Sequence, residues 1–166
     1  PIEVHLAVID PIPYLEPFIK AGATHIAVHI EVLQNMYILH RIRELGAIPV
    51  LAYRAETPPS IDHLPFYKEV GSILKLTVNP GFSGQKIQKQ SFEHIRQIRE
   101  LLDRASLQLD IQADGNVNQH TIKDLADAGA TVFTGGTSGL FISNQSLNQS
   151  IMQLKEAAQC LSTQQM

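Results

Sequence analysis

Six apolar, strand-like segments recur along the chain, at 2–9, 24–30, 47–53, 73–78, 107–114 and 131–136. Helical stretches lie between and after them, at 14–23, 33–46, 60–70, 91–105, 119–130 and 146–158, the one at 60–70 weakened by Pro58-Pro59 before it. No hairpin signal joins consecutive strands, so the rhythm requires parallel strands linked by crossover helices. Met36, Leu39, Ile42 and Leu45 form one apolar helix face, and Phe92, Ile95, Ile98 and Leu101 form another. The strands are apolar on both faces, as a sheet covered by helices or closed into a barrel demands. With no linker and no low-complexity run, residues 1–166 are expected to form a single domain.

A parallel sheet of this kind is either doubly wound or a barrel, and the polar residues discriminate. A dinucleotide-binding sheet would carry its glycine fingerprint after the first strand, and Val8-Ile9-Asp10-Pro11 has none. The last two strands instead end in Ala113-Asp114-Gly115-Asn116 and Thr134-Gly135-Gly136-Thr137. Strand ends that pass into turns with free backbone N–H groups suit an anion, and in a (β/α)8 barrel a phosphate often binds beside the last two strands. The expectation is therefore an α/β fold, a TIM barrel of the phosphate-binding type, of which this chain supplies about six βα units.

Composition narrows the function classes. A formal charge of −3, with Lys and Arg scattered, argues against a nucleic-acid surface. No apolar run approaches the ~20 residues of a membrane span. Cys160 is the only cysteine, which points away from a disulfide framework and towards a reducing cytoplasm. The opening stretch PIEVHLAVID reads as a strand from within a domain rather than as a signal peptide.

Several residues invite chemistry. The stretch LTVNPGFSGQK, residues 76–86, runs from a strand into a loop whose Gly81, Ser83 and Gly84 allow a tight turn or a close approach to a ligand. Taken alone, His5 on a strand is an ordinary core histidine, and Asp114 before a glycine is an ordinary turn residue. Gly136 and Thr137 could simply begin a helix. His29 reads as structural, and Glu31 either hydrogen-bonds near a site or caps a helix. Lys75 could serve as a Schiff-base nucleophile in a phosphosugar aldolase. Alternation, however, places it opposite Leu74 and Leu76, and since the resemblance given below points Leu76 inward, Lys75 is expected to face the helices and snorkel to water.

In this order and at these intervals, EVHL, AVHIE, LTVNPGFSGQK, ADGNVN and GGTSGLF resemble the ribulose-phosphate 3-epimerase family over essentially the whole chain. The stretch at 114–141 is most similar to the branch acting on allulose 6-phosphate. The resemblance implies a metal-assisted isomerase that removes the C3 proton of a 2-ketose phosphate and returns one to the opposite face. Such a reaction needs one acid/base group per face and a cation against the enediolate oxygens. By the same resemblance His5 and Asp114 are metal ligands and Asp114 is also an acid/base. Gly81, Phe82, Ser83 and Gly84 form the loop over the substrate, and Gly115, Asn116, Gly136 and Thr137 hold its phosphate. Zinc is the first expectation for the metal, with iron, manganese or cobalt also compatible. The substrate is ribulose 5-phosphate or allulose 6-phosphate, and self-association is expected of a sheet with exposed edges.

The chain departs from the family pattern in ways that matter. The family's other metal histidine, other catalytic aspartate and a substrate-binding serine lie on its first two strands, and this chain starts at what resembles the third. Ala7 and Leu76 stand where methionines usually flank the site, Arg54-Ala55 replaces an asparagine-proline, and Asn116 replaces a common glycine. These departures keep open a degenerate barrel that binds phosphosugar without turning it over.

Overall fold

The computed structural model describes residues 1–81 and 84–159. Phe82, Ser83 and Cys160, singled out above, lie outside the described residues. The strands are β1 (Glu3–Leu6), β2 (His25–His29), β3 (Ile48–Tyr53), β4 (Ser72–Leu76), β5 (Asp110–Asp114) and β6 (Val132–Thr134). Helices α1 (Ile12–Lys20), α2 (Tyr37–Glu44), α3 (Leu64–Tyr67), α4 (Gln90–Arg104), α5 (Ile122–Asp127) and α6 (Leu147–Gln159) alternate with them. All neighbouring strands pair in parallel, and the spatial order is the sequence order, β1 to β6. A doubly wound sheet reverses its strand order at a switch point; an unbroken order is that of a barrel wall. The sheet curls far enough for Gln112 on β5 to donate to Glu3 on β1, Nε2 to Oε2 at 2.8 Å. The result is a curled partial (β/α) barrel.

Period-two alternation sorts the strand residues into two layers. Ile26, Val28, Leu51, Tyr53, Ile73 and Ile111 point outward and pack with Leu15, Leu39, Ile42, Ile95, Ile98 and Leu102 from the helices. Ala27, Val50, Ala52 and Leu74 point inward and form a smaller cluster in the barrel interior. The helix faces read from the sequence are largely those buried, with one shift: on α4 Leu102 is fully buried and Leu101 only partly so.

Most elements are shorter than their patterns suggest, with β1 ending at Leu6 and β5 beginning only at Asp110. The segment at 60–70 makes one 3-10 turn (Ile61–His63) and the four-residue α3, because Pro58-Pro59 delays its start. The strand at 73–78 loses its last two residues as β4, although Thr77 N–H still donates to the Asp114 carbonyl at 2.8 Å. No helix among the described residues is long and apolar enough to cross a membrane.

Leu39 is fully buried in the outer layer, whereas Ile61 is 60% exposed. Leu39→Ala should therefore lower unfolding stability by about 2–5 kcal/mol and Ile61→Ala by less than about 0.5 kcal/mol, read by urea denaturation. Equal losses would contradict the layer assignment.

Candidate active site

One cleft of about 320 Å³ opens at the carboxyl ends of the strands, and it gathers residues from β1, β4, β5 and β6 and the turns that follow them. His5 and Ala7 come from the first unit, Leu76, Val78, Gly81 and Gly84 from the fourth, Asp114, Gly115 and Asn116 from the fifth, and Thr134, Gly136 and Thr137 from the sixth. Every described residue named above as a site candidate from the resemblance thus lines a single space. Residues as far apart in sequence as His5 and Thr137 meet there because parallel strands all end on the same side of a barrel.

The turn after β5 is built by local constraint. Gly115 has φ 120° and Asn116 φ 48°, so the chain turns through two left-handed residues in succession. A side chain at Gly115 would meet Val78 Cγ2 at 2.6 Å and Thr77 Oγ1 at 2.8 Å, so only glycine fits. Thr77, itself fully buried, donates its hydroxyl to the carbonyls of Asp114 at 3.1 Å and Gly115 at 2.5 Å. After β6 no helix begins at once: Leu140 N–H returns to the Gly136 carbonyl at 2.8 Å, and α6 starts only at Leu147. Gly136 and Thr137 therefore stand in a turn rather than at a helix start. The described residues give the amides of Gly115, Asn116, Gly136 and Thr137 no carbonyl partner. Four such amides on two adjacent turns line one side of the cleft.

Two titratable groups face this cleft. Burial raises the Asp114 carboxyl above its ordinary value, and the nearby Glu3 carboxylate adds to the rise. Burial pushes His5 down to about 4, helped by His29. The His5 and His29 rings stack with centroids 4.9 Å apart and their Nε2 atoms 2.7 Å apart. His29 Nδ1 in turn meets Glu31 Oε2 at 3.0 Å. Glu31 is held down at about 2: burial would raise it, but hydrogen bonds from His29, Thr57 and the Arg54 amide outweigh that. Glu31 is thus a hydrogen-bond anchor beside the site. His29, read as structural, contacts the site through His5; the signal available was the two-residue spacing of the histidine and glutamate in AVHIE.

Among the described residues, no group of three or more histidine, cysteine, aspartate or glutamate side chains could hold a metal ion. His5 and Asp114 share the cleft, yet His5 turns its Nε2 to His29. A divalent ion takes about four to six donors, so the described donor set does not fit a complete metal centre.

Lys75 faces the helix layer, as alternation requires, but it does not reach water. It is fully buried, its Nζ donating to the carbonyls of Arg54 at 2.6 Å and Thr57 at 2.8 Å. Snorkelling fails because the turn after β3 covers the ammonium and supplies acceptors in place of solvent. Lys75 does not line the cleft, and that removes the geometric basis for a Schiff base there.

The fold and the cleft at the strand ends define a barrel of the kind that carries its chemistry on its βα turns. Orotidine 5'-phosphate decarboxylase from Pyrococcus horikoshii OT3 superposes with a TM-score of 0.62 at 16% identity, over 93% of this chain and 73% of that one, a likeness of fold. Residues 1–141 match the model of the ribulose-phosphate 3 epimerase family, and the chain belongs to that family. Ribulose-phosphate 3-epimerase of Aquifex aeolicus (strain VF5) is 38% identical over 146 residues, 85% of this chain and 63% of that protein. The enzyme of the same name from Buchnera aphidicola is 38% identical over 144 residues, 85% of this chain and 61% of that protein. The chain thus spans about three-fifths of the length of these curated relatives.

Asp114 has a raised pKa, so its charged form costs stability in the fold. The unfolded carboxyl binds its proton less tightly, and stability is lost as pH rises from the unfolded value through the folded one. Metal-free Asp114→Asn should therefore melt above the parent at pH 7, with the gap closing below pH 4. Thermal denaturation in the presence of a chelator checks this, and a lower Tm for the variant at pH 7 would refute it.

Proposed function

We propose that this chain forms the phosphate-binding side of a 2-ketose-phosphate 3-epimerase, an isomerase that inverts C3 by removing one proton and returning another to the opposite face. The observation that carries the proposal is the single cleft. It joins a carboxyl of raised pKa, two turns whose amides have no carbonyl partner among the described residues, and the glycines that bound the loop after β4. The names of the curated relatives favour ribulose 5-phosphate as substrate; allulose 6-phosphate, suggested by the resemblance at 114–141, is the alternative to be tested beside it.

In this reading the phosphate is held by the amides of Gly115, Asn116, Gly136 and Thr137, which need no side-chain rearrangement to receive it. Fixing the phosphate places the other end of the sugar towards His5 and Asp114. Asp114 takes or returns the proton on one face of C3, and its raised pKa moves it closer to the pH at which proton transfer is efficient in both directions. Gly81 and Gly84, which line the cleft, bound the loop that the resemblance assigns to the substrate. A divalent metal, zinc first, would stabilise charge on the enediolate oxygens when bound. His5 and Asp114 are its proposed ligands from this chain, and on their own they are too few. The reaction in this reading therefore belongs to the whole protein, in which a second proton carrier and further ligands complete the site, with self-association and a cytoplasmic setting as its expected context.

The incomplete donor set favours a second reading, a barrel that binds phosphosugar without turnover. Exchange of the C3 proton for deuterium, followed by NMR on both ketose phosphates with the full natural protein, separates the two. The epimerase reading expects exchange, and Asp114→Asn should slow it by at least about 10²-fold. Binding without exchange would overturn it in favour of the second.

Gly136 offers an independent check on the phosphate assignment, because a Cβ there meets nothing within 4 Å. Gly136→Ala should be silent, whereas Gly136→Asp places a carboxylate against the phosphate. The aspartate variant should weaken ketose-phosphate binding by about tenfold or more by calorimetry. Unchanged affinity in that variant would move the phosphate elsewhere.

A further inference from the structure

The site as described leaves a buried charge without a role. The Lys75 ammonium is fully buried on the helix side of β4, and among the described residues no carboxylate lies within ion-pair distance of it. Its pKa falls to about 8, chiefly through burial. A lysine in such a place is costly unless good acceptors surround it. Here the acceptors are two backbone carbonyls of a single turn, Arg54 at 2.6 Å and Thr57 at 2.8 Å. The turn closes on itself through Thr57 N–H to the Arg54 carbonyl at 3.2 Å. It follows β3 directly, at the same end of the sheet as the cleft.

The other side of that turn leads to the site. Arg54 N–H donates to Glu31 Oε1 at 2.9 Å, and the Thr57 side chain also hydrogen-bonds Glu31. The remaining Glu31 oxygen, Oε2, meets His29 Nδ1 at 3.0 Å, and His29 Nε2 meets His5 Nε2 at 2.7 Å. An ionised carboxylate only accepts, so the proton on that bond belongs to His29 Nδ1. With one proton on each ring, His29 Nε2 is then the acceptor and His5 Nε2 the donor. The chain of contacts runs from Lys75 through the turn to Glu31, His29 and His5, and it fixes ring orientation and tautomer together.

We propose that Lys75 is a positioning residue for this site: by clamping the Arg54–Thr57 turn from beneath, it holds Glu31 and, through it, the ring of His29 and the tautomer of His5. The link between Lys75 and the rings stands on the hydrogen bonds alone; its effect on turnover rests on the epimerase reading above. Every step is a contact between neighbours, and the turn is the element that would relax if its carbonyls lost their donor. Lys75 touches no part of the cleft, so it acts through the rings or not at all.

Histidine ring ¹H–¹⁵N spectra test the clamp without any reference to activity. Lys75→Met keeps most of the length of the side chain and removes the ammonium, Glu31→Gln weakens the ring contact directly, and Thr57→Val removes the side-chain hydrogen bond to Glu31 without touching the buried charge. The His29 Nδ1–H signal should move in the same direction in all three, most in Glu31→Gln. In the full natural protein, Lys75→Met should also lower kcat for C3 exchange by about tenfold with KM unchanged, as a small misplacement of a reacting group does. Affinity for inorganic phosphate should stay within about twofold, since the phosphate turns are not in the relay. A His29 signal unmoved in folded Lys75→Met, while Glu31→Gln moves it, would overturn the clamp. If the parent shows no exchange at all, the epimerase reading fails, and the ring signal still decides the role of Lys75.

Discussion

The buried hydroxyl of Thr77 ties the end of β4 to the end of β5, and the candidate site depends on that join. Its amide extends the parallel ladder one step beyond the strands, to the Asp114 carbonyl, and its hydroxyl reaches the carbonyls of Asp114 and Gly115. Asp114 is thereby held at the mouth of the barrel, and Gly115 is pressed so close to Thr77 and Val78 that no Cβ could enter. The left-handed pair at Gly115 and Asn116 follows, and with it the direction in which their amides point. The segment that follows β4 and the turn that follows β5 start from the same clasp.

Barrel geometry converts this local clasp into a site. Because the strands are parallel and in sequence order, residues from the first and last units end at one rim. The inner layer is made of small side chains, Ala27, Val50 and Ala52 with Leu74, which leaves polar residues such as Glu3, Gln112 and Ser72 to meet across the interior. Glu3 carries a charge towards Asp114 and adds to the rise in its pKa that burial begins. The same alternation that packs Ile73 outward buries Lys75 under the turn after β3. One strand therefore serves the cleft with Leu76 and supports it from behind with Lys75.

The barrel was legible in the sequence because it depends on local rules, whereas the site candidates His5, Asp114, Gly136 and Thr137 were named through the family resemblance. Alternating strands and helices without hairpins gave parallel order, and glycines after strands marked the rim turns. What escaped was set by tertiary contact. His29 lies two residues before Glu31 and one strand away from His5; nothing along the chain shows that the two rings would stack. Lys75 was correctly assigned to the outer face, but its burial depends on two carbonyls 18 and 21 residues earlier in sequence. Leu102 is buried ahead of Leu101 because it continues the i, i+3, i+7 spacing of Ile95 and Ile98 on α4.

The most direct test of the account is to titrate ribulose 5-phosphate and allulose 6-phosphate into ¹⁵N-labelled protein and follow the backbone amides. The account predicts that the largest shifts fall on Gly115, Asn116, Gly136 and Thr137, with smaller ones on Gly81 and Gly84. Shifts confined to the opposite face, around Arg99 and Gly129, or no shift at saturating sugar phosphate, would contradict it.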